Sequence, residues 1–293
     1  MAAPTSESKE LVWFITGTSS GFGKRLVAVA LARGDKVIAT ARSTSSLQDL
    51  PTSDRLRTMQ LDVIEGRESI KRKVDDAVSY FGRIDVLVNN AGIGEKAFVE
   101  EGGSEVFLSQ INVNVCGLLD VTTAILPYMR AQKSGTIVMI GSRSSWESEV
   151  PIRAFYCSSK AALRVLSEGL QSEVSQFGVR VLIVEPGPFR TENIYARPLY
   201  EGNRIPVYDS MLKFIDEYVK TKVDGFQPGD PLKAMEVLAD VVRGEGCAEG
   251  KKFPLYLPLG EEAEQAIRNK CNTMLGVVDE WQDVIRSTKL DEA

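Results

Sequence analysis

Residues 11–16 (Leu-Val-Trp-Phe-Ile-Thr) form a short apolar run with β-branched and aromatic members, closed by Gly17. A continuous run of this kind is the profile of a strand buried on both faces. Over residues 23–33 the pattern changes to a helical period, with Leu26, Val27, Ala30 and Leu31 on one side, and Gly34-Asp35 ends it. Residues 36–40 read as the next strand. The alternation continues with a strand at 56–61, a helix at 67–80 and a strand at 84–88. An apolar helix at 113–129, a strand at 136–140, a long helix at 154–176 and a strand at 179–184 follow. Strands and helices in strict alternation predict βαβ units, hence an α/β fold: a doubly wound parallel sheet with helices on both faces.

The pattern breaks at 189–227, where Pro198, Pro206, Tyr195, Tyr200, Tyr208 and Met211 stand among polar residues. A stretch of that length is expected to be a substrate-binding loop or lid. A helix resumes at 228–243, a last strand is expected at 253–257, and helices at 261–275 and 277–285 form a C-terminal extension over 260–293. With no internal repeat and no low-complexity linker, residues 1–293 read as one domain preceded by a frayed polar tail at 1–10.

Composition narrows the function classes. The net charge of −5 and the pI of about 5.2 speak against a nucleic-acid partner, which would want a basic stripe. Residues 1–10 lack the apolar core of a secretory signal, and no uninterrupted apolar run approaches the ~18 residues of a membrane span. The four cysteines are widely spaced with no Cys-x-x-Cys pair, which predicts reduced thiols and a cytoplasmic protein. The chain contains no histidine. That excludes a Ser-His-Asp triad and a histidine-based metal site, and no metal is expected. Proton chemistry must fall to Tyr, Lys, Asp, Glu or Cys.

Tyr156 and Lys160 lie four apart within a predicted helix, and so on one face of it. A neighbouring cation is expected to lower the phenol's pKa, making the pair an acid/base for an alcohol or carbonyl oxygen. Far upstream, the first strand runs into Thr16-Gly17-Thr18-Ser19-Ser20-Gly21-Phe22-Gly23 and then a helix. Glycines permit close backbone approach, and the helix N-terminus offers free N–H groups, which together suit a pyrophosphate. The second strand ends in Ala41-Arg42-Ser43 with no carboxylate to hold ribose hydroxyls. An arginine there can grip a 2′-phosphate, so NADP (NADPH) is expected over NAD.

These residues together resemble the short-chain dehydrogenase/reductase family, of the single-domain Rossmann type. The Thr16–Gly23 run matches its T-G-x-x-x-G-x-G motif, Asn89-Asn90-Ala91-Gly92 its N-N-A-G, and Asn114-Val115-Cys116-Gly117 its N-x-x-G. Tyr156 to Lys160 matches Y-x-x-x-K, and Pro186-Gly187 matches P-G. The match covers about residues 10–192. It implies a Rossmann sheet of about seven strands and a catalytic set of Asn114, Ser142, Tyr156 and Lys160. Tyr156 would pass the proton, Lys160 would lower its pKa and bind the nicotinamide ribose, Ser142 would polarise the carbonyl, and Asn114 would hold a water in a proton relay. Ser142 precedes Tyr156 by fourteen residues, one more than is usual in the family, and Ser144 is the alternative. The resemblance further implies that Asp62 and Val63 contact adenine and that Asn90, Ala91 and Gly92 line the adenosine ribose. Pro186, Gly187, Phe189 and Thr191 would line the carboxamide and phosphate side. Asn90 could equally tie adjacent strands together, and Cys157 is expected to be a packing residue.

The substrate pocket is expected at the carboxyl ends of the strands, lined by Trp146, Val150, Phe155, Phe189, Ile194 and Tyr195. This apolar and aromatic set suits a hydrophobic or cyclic ketone or secondary alcohol, steroid-, retinoid- or secondary-metabolite-like. Three readings stand: an NADP-dependent carbonyl reductase, an NAD-preferring alcohol dehydrogenase with the same residues, and a catalytically silent NADP-binding regulator. Relatives often form homodimers or homotetramers through the two long helices. Here the C-terminal helices with Trp281 would cover that surface or another.

Overall fold

The computed structural model describes residues 10–192 and 198–290. Seven parallel strands form one sheet in the order β3-β2-β1-β4-β5-β6-β7. They are β1 (Val12–Ile15), β2 (Lys36–Ala41), β3 (Leu56–Gln60), β4 (Val86–Asn89), β5 (Gly135–Ile140), β6 (Val179–Pro186) and β7 (Tyr256–Leu259). The order reverses between β1 and β4, which opens a crevice at the carboxyl ends of those strands.

Alternate strand residues feed two cores. Trp13, Ile15, Val37 and Val88 face the layer made by α1 (Gly21–Ala32) and α7 (Pro231–Arg243). Val12, Phe14, Ile38 and Leu87 face the opposite layer. That layer holds α2 (Arg67–Phe81), α4 (Leu118–Gln132) and α5 (Ala154–Val174). Burial on both faces is why these strands read as unbroken apolar runs.

Three elements differ from the sequence expectation. A helix α3 (Val99–Ile111) precedes the expected one and joins α4 through a π-turn at Asn112–Gly117. The stretch expected to be a loop or lid contains α6 (Asp209–Tyr218), started by a turn with Pro206 at its first position, where the missing N–H costs nothing. The break expected at Gly276 is absent. Helix α8 runs over Glu261–Glu280, and Trp281 separates it from α9 (Gln282–Arg286). From Cys271 to Trp281 every residue of this extension is exposed.

The continuous helical run Val99–Gln132 is long and apolar enough to cross a membrane by length and composition, which the reading of unbroken apolar runs did not anticipate. Its apolar positions Leu118, Val121, Ile125 and Met129 are buried in the core against the sheet. Of the polar tail expected at 1–10, only Glu10 lies within the described residues.

Candidate active site

The glycine turn is built for close approach. Gly17 and Gly21 hold positive φ (69° and 56°), which side-chain-bearing residues rarely adopt. A Cβ at Gly23 would lie 2.4 Å from the Gly17 carbonyl oxygen and 2.7 Å from Asn90 Nδ2. Asn90 Nδ2 donates to the carbonyls of Thr16 and Gly17, both at 2.9 Å. The Thr16 hydroxyl accepts from the backbone N–H of Asn90 (2.9 Å) and of Ala91 (3.0 Å). Thr18 fastens the turn to β2, its N–H and hydroxyl both donating to the Thr40 carbonyl. The side chains of Asn90 and Thr18 thus brace the loop, while Ser19 stays exposed and Ser20 caps α1 through its backbone alone.

At the α1 N-terminus sits a carboxylate. Glu192 accepts from the Gly21 N–H (3.1 Å) and from both terminal nitrogens of Arg25 (2.9 and 2.8 Å). The Arg25 hydrogen bonds pull its pKa down to about 2. An intramolecular carboxylate thus occupies the free N–H and positive end that a helix N-terminus offers to anions. Arg42 stands exposed just past β2, with no hydrogen-bond or ion-pair partner among the described residues. Val63 is buried, and its carbonyl oxygen would lie 2.6 Å from a Cβ at Gly117, which explains the glycine of Asn114–Gly117. Asp62 caps the chain after β3, accepting from the Ile64 N–H at 3.2 Å. Pro186 is buried, the Gly187 N–H donates to the Leu259 carbonyl, and Thr191 abuts the space beside Gly21. These donors and bare glycines fit a dinucleotide.

Asn114, Ser142, Tyr156 and Lys160 converge beside this turn. The π-turn aims Asn114 inward. Its carbonyl oxygen accepts from the Ile93 N–H (2.8 Å), and its amide donates to the Ile93 carbonyl (2.9 Å) and the Ser159 hydroxyl (3.0 Å). Lys160 is 5% exposed and donates to the Ile140 carbonyl at 2.7 Å. A Cβ on Gly92 would lie 3.2 Å from Asn114 Oδ1 and 3.8 Å from Lys160 Nζ, so Gly92 keeps the space before both open. Lys160 Nζ and Arg153 Cζ each lie 5.9 Å from the centre of the Tyr156 ring.

Burial sets the proton affinities, and not in the expected direction for the phenol. Burial raises the Tyr156 pKa above its ordinary value, while hydrogen bonding to Ser142 and the Arg153 charge pull the other way. Burial also lowers Lys160 to about 8. The lowering of the phenol expected from Lys160 does not appear: Ser142 and Arg153 supply what lowering there is, and loss of water, which disfavours both charged forms, dominates. Ser142 bears on the phenol, whereas the Ser144 hydroxyl accepts from Arg153 at 3.2 Å.

The expected pocket residues divide. Phe155 is buried with Ala97 and Val106, with Tyr200 packed against them. Phe189 belongs to the core, edge-on to Phe22 with ring centres 5.3 Å apart. Trp146 turns its indole N–H to Glu185 and packs against Arg164 and Tyr256. Val150 is half-buried. Ile194 and Tyr195 lie outside the described residues. Cys157 is buried, and desolvation raises its thiol pKa, as a packing residue requires. Sequence reading missed Arg25, Arg153, Glu185 and Glu192. Glu185 left one signal, a carboxylate closing the apolar run Val181–Val184.

A family model described as short chain dehydrogenase matches residues 11–198. The chain is 31% identical over 282 residues to oxidoreductase BOA17 of Botryotinia fuckeliana, covering 93% of this chain and 97% of that protein. It is 36% identical over 221 residues to retinol dehydrogenase 7 of Mus musculus, covering 71% and 68%. A solved structure of a short-chain dehydrogenase from Streptomyces avermitilis superposes with a TM-score of 0.83 at 36% identity, covering 96% of this chain and all of that one.

Proposed function

The chain belongs to the short-chain dehydrogenase family, and from that premise we propose that it is an NADP(H)-dependent reductase of a hydrophobic or cyclic ketone. At the coarser level it is an oxidoreductase of the alcohol/ketone type. The observation that carries the reading is the convergence of Tyr156, Ser142, Lys160 and Asn114 beside a glycine turn that already holds an anion.

When bound, the dinucleotide supplies the hydride. The backbone of residues 17–23 would hold its pyrophosphate, and Arg42, exposed and unpaired among the described residues, would take the 2′-phosphate. Ser142 would donate to the substrate oxygen and polarise it, and Tyr156 would give that oxygen its proton. A phenol whose pKa is raised stays protonated at neutral pH, which suits a proton donor and so supports reduction. Lys160, charged below about 8 and tethered to the Ile140 carbonyl, would hold the nicotinamide ribose. Asn114 fixes Ile93 and Ser159 and would seat a relay water. The buried Phe155 cluster beneath the lid supports an apolar substrate, as does the likeness to a retinol dehydrogenase.

The test follows absorbance of NADPH and, in parallel, NADH on adding aliphatic, aromatic and polycyclic ketones. NADPH oxidation with a polycyclic ketone is expected. Tyr156→Phe should lower it by roughly a hundredfold or more. Arg42→Asp should weaken NADPH and spare NADH. Equal use of both cofactors with no loss in Arg42→Asp would sink the NADP reading. Cofactor binding without turnover of any ketone would return the chain to a silent binder.

A further inference from the structure

We propose that Glu185 is a positioning residue for Ser142: a buried carboxylate on β6 that clamps the turn carrying the serine through Ser145 and Trp146. The proposal rests on the role just given to Ser142.

Glu185 is 0% exposed and sits between Val184 and Pro186 in an otherwise apolar strand segment. Burying a carboxylate is costly unless its oxygens are matched by donors. Both are matched from one place. Oε1 accepts from the Ser145 hydroxyl at 2.6 Å, and Oε2 accepts from the Trp146 indole N–H. Ser145 ends the short 3₁₀ turn Arg143–Ser145, and Ser142 is its N-cap.

A turn this short has little hydrogen bonding of its own to fix it. The start of the turn is held by the Gly141 N–H on the Val184 carbonyl (2.7 Å) and by the Ser144 N–H on the Ser142 hydroxyl (3.1 Å). Glu185 holds its far end, so the turn is tied to β6 on both sides of the serine. Gly141 is what lets the strands come this close. A Cβ there would lie 3.0 Å from the Val184 oxygen and 3.4 Å from Glu185 Cγ.

The indole is itself fixed. Arg164 lies over its face at 4.4 Å, and Tyr256 meets it edge-on at 6.4 Å. Arg164 pairs with Glu168 at 2.7 Å, and Glu168 accepts from the Tyr256 hydroxyl at 2.5 Å. The serine turn is thereby referred to α5, β6 and β7 at once. An apolar residue at 185 would fill the same space without the charge, but it would release both donors. Misplacement of a polarising group by a fraction of an ångström is enough to slow a reaction markedly.

The test compares Glu185→Gln, Glu185→Ala and Trp146→Phe with the parent in kcat for ketone reduction, NADPH affinity, pH profile and amide hydrogen exchange. Glu185→Gln keeps the clamp, since its amide can accept from the indole and donate to the Ser145 hydroxyl. It should stay within about threefold of the parent in kcat. Glu185→Ala and Trp146→Phe should lose about tenfold in kcat with NADPH affinity nearly unchanged. The second of the two alkaline steps, that of the phenol, should move up while the Lys160 step near 8 stays, because Ser142 holds the phenol pKa down. The segment 141–147 should exchange about tenfold faster, with β1 and α1 unchanged. Unchanged exchange of that segment would overturn the proposal. So would faster exchange with kcat and pH profile intact, or a loss in Glu185→Gln equal to that in Glu185→Ala. A parent protein that reduces no ketone would refute the assigned activity, and the exchange result would then decide the clamp alone.

Discussion

Lys160 and Tyr156 are pushed apart by the same cause. Lack of water lowers the amine to about 8 and raises the phenol, so as pH climbs the lysine discharges first. The cost shows in stability. The folded amine releases its proton near 8 and the unfolded one near 10.5, so between these values the unfolded chain binds more protons. Stability from this group therefore rises with pH across that window, the charged amine being a burden below it. A Lys160→Met variant lacks the titration. The parent's unfolding free energy minus the variant's should climb by on the order of 3 kcal/mol between pH 8 and pH 10.5. Urea denaturation of both proteins at four pH values would read this, and a flat difference would refute the depressed value.

Elements were legible where burial alone decides them and opaque where partners do. The strands β1, β2, β4, β5 and β6 were readable because each is an apolar run buried on both faces, whereas β3 buries only Leu56 and Met59 and β7 only Leu259. Helix α3 was not, because Gly102 and Gly103 interrupt it, Gly103 with a positive φ of 48°. Its reason is tertiary: Gly102 admits Phe155, whose Cε2 would lie 2.7 Å from a Cβ there. Of the site, the glycine turn and the Tyr156–Lys160 spacing are local and were visible. Glu185 and Glu192 act across 40 and 171 residues of sequence, on Ser145 and Gly21, so no spacing announces them. The proposed lid is held on α3 in the same non-local way. Tyr208 stacks on Phe98 at 4.4 Å and donates to Glu100 at 2.7 Å, while the Ile205 N–H reaches the buried Glu101 at 2.9 Å. Tyr208→Ala should loosen this strap without opening the core. KM for the ketone should rise by about fivefold, with the melting temperature within about 2 °C of the parent. A large fall in melting temperature would instead make the lid part of the folding unit.

At the scale of the whole molecule, one ion pair ties the beginning of the sheet to its end in sequence. Arg243, at the last turn of α7, meets Asp35 at 2.6 Å, with side chains only 5% and 0% exposed. Asp35 also accepts from the Trp13 indole (2.8 Å) and the Leu11 N–H (3.0 Å), so one carboxylate joins β1, the α1–β2 turn and α7. These are the elements behind the glycine turn, and α1 packs directly on α7. Such a pair contributes little over an apolar replacement, yet breaking it strands a charge. Arg243→Met should therefore cost about 3–5 kcal/mol by leaving Asp35 buried and uncompensated. Adding Asp35→Asn should recover part of that loss, since no charge remains and the amide oxygen still accepts from Trp13, while the amide nitrogen meets the Leu11 N–H in place of an acceptor. Denaturant midpoints of the two single variants and the double variant make the cycle. If Arg243→Met alone costs less than about 1 kcal/mol, water reaches the pair, and the junction between the first βαβ unit and α7 is looser than these distances describe.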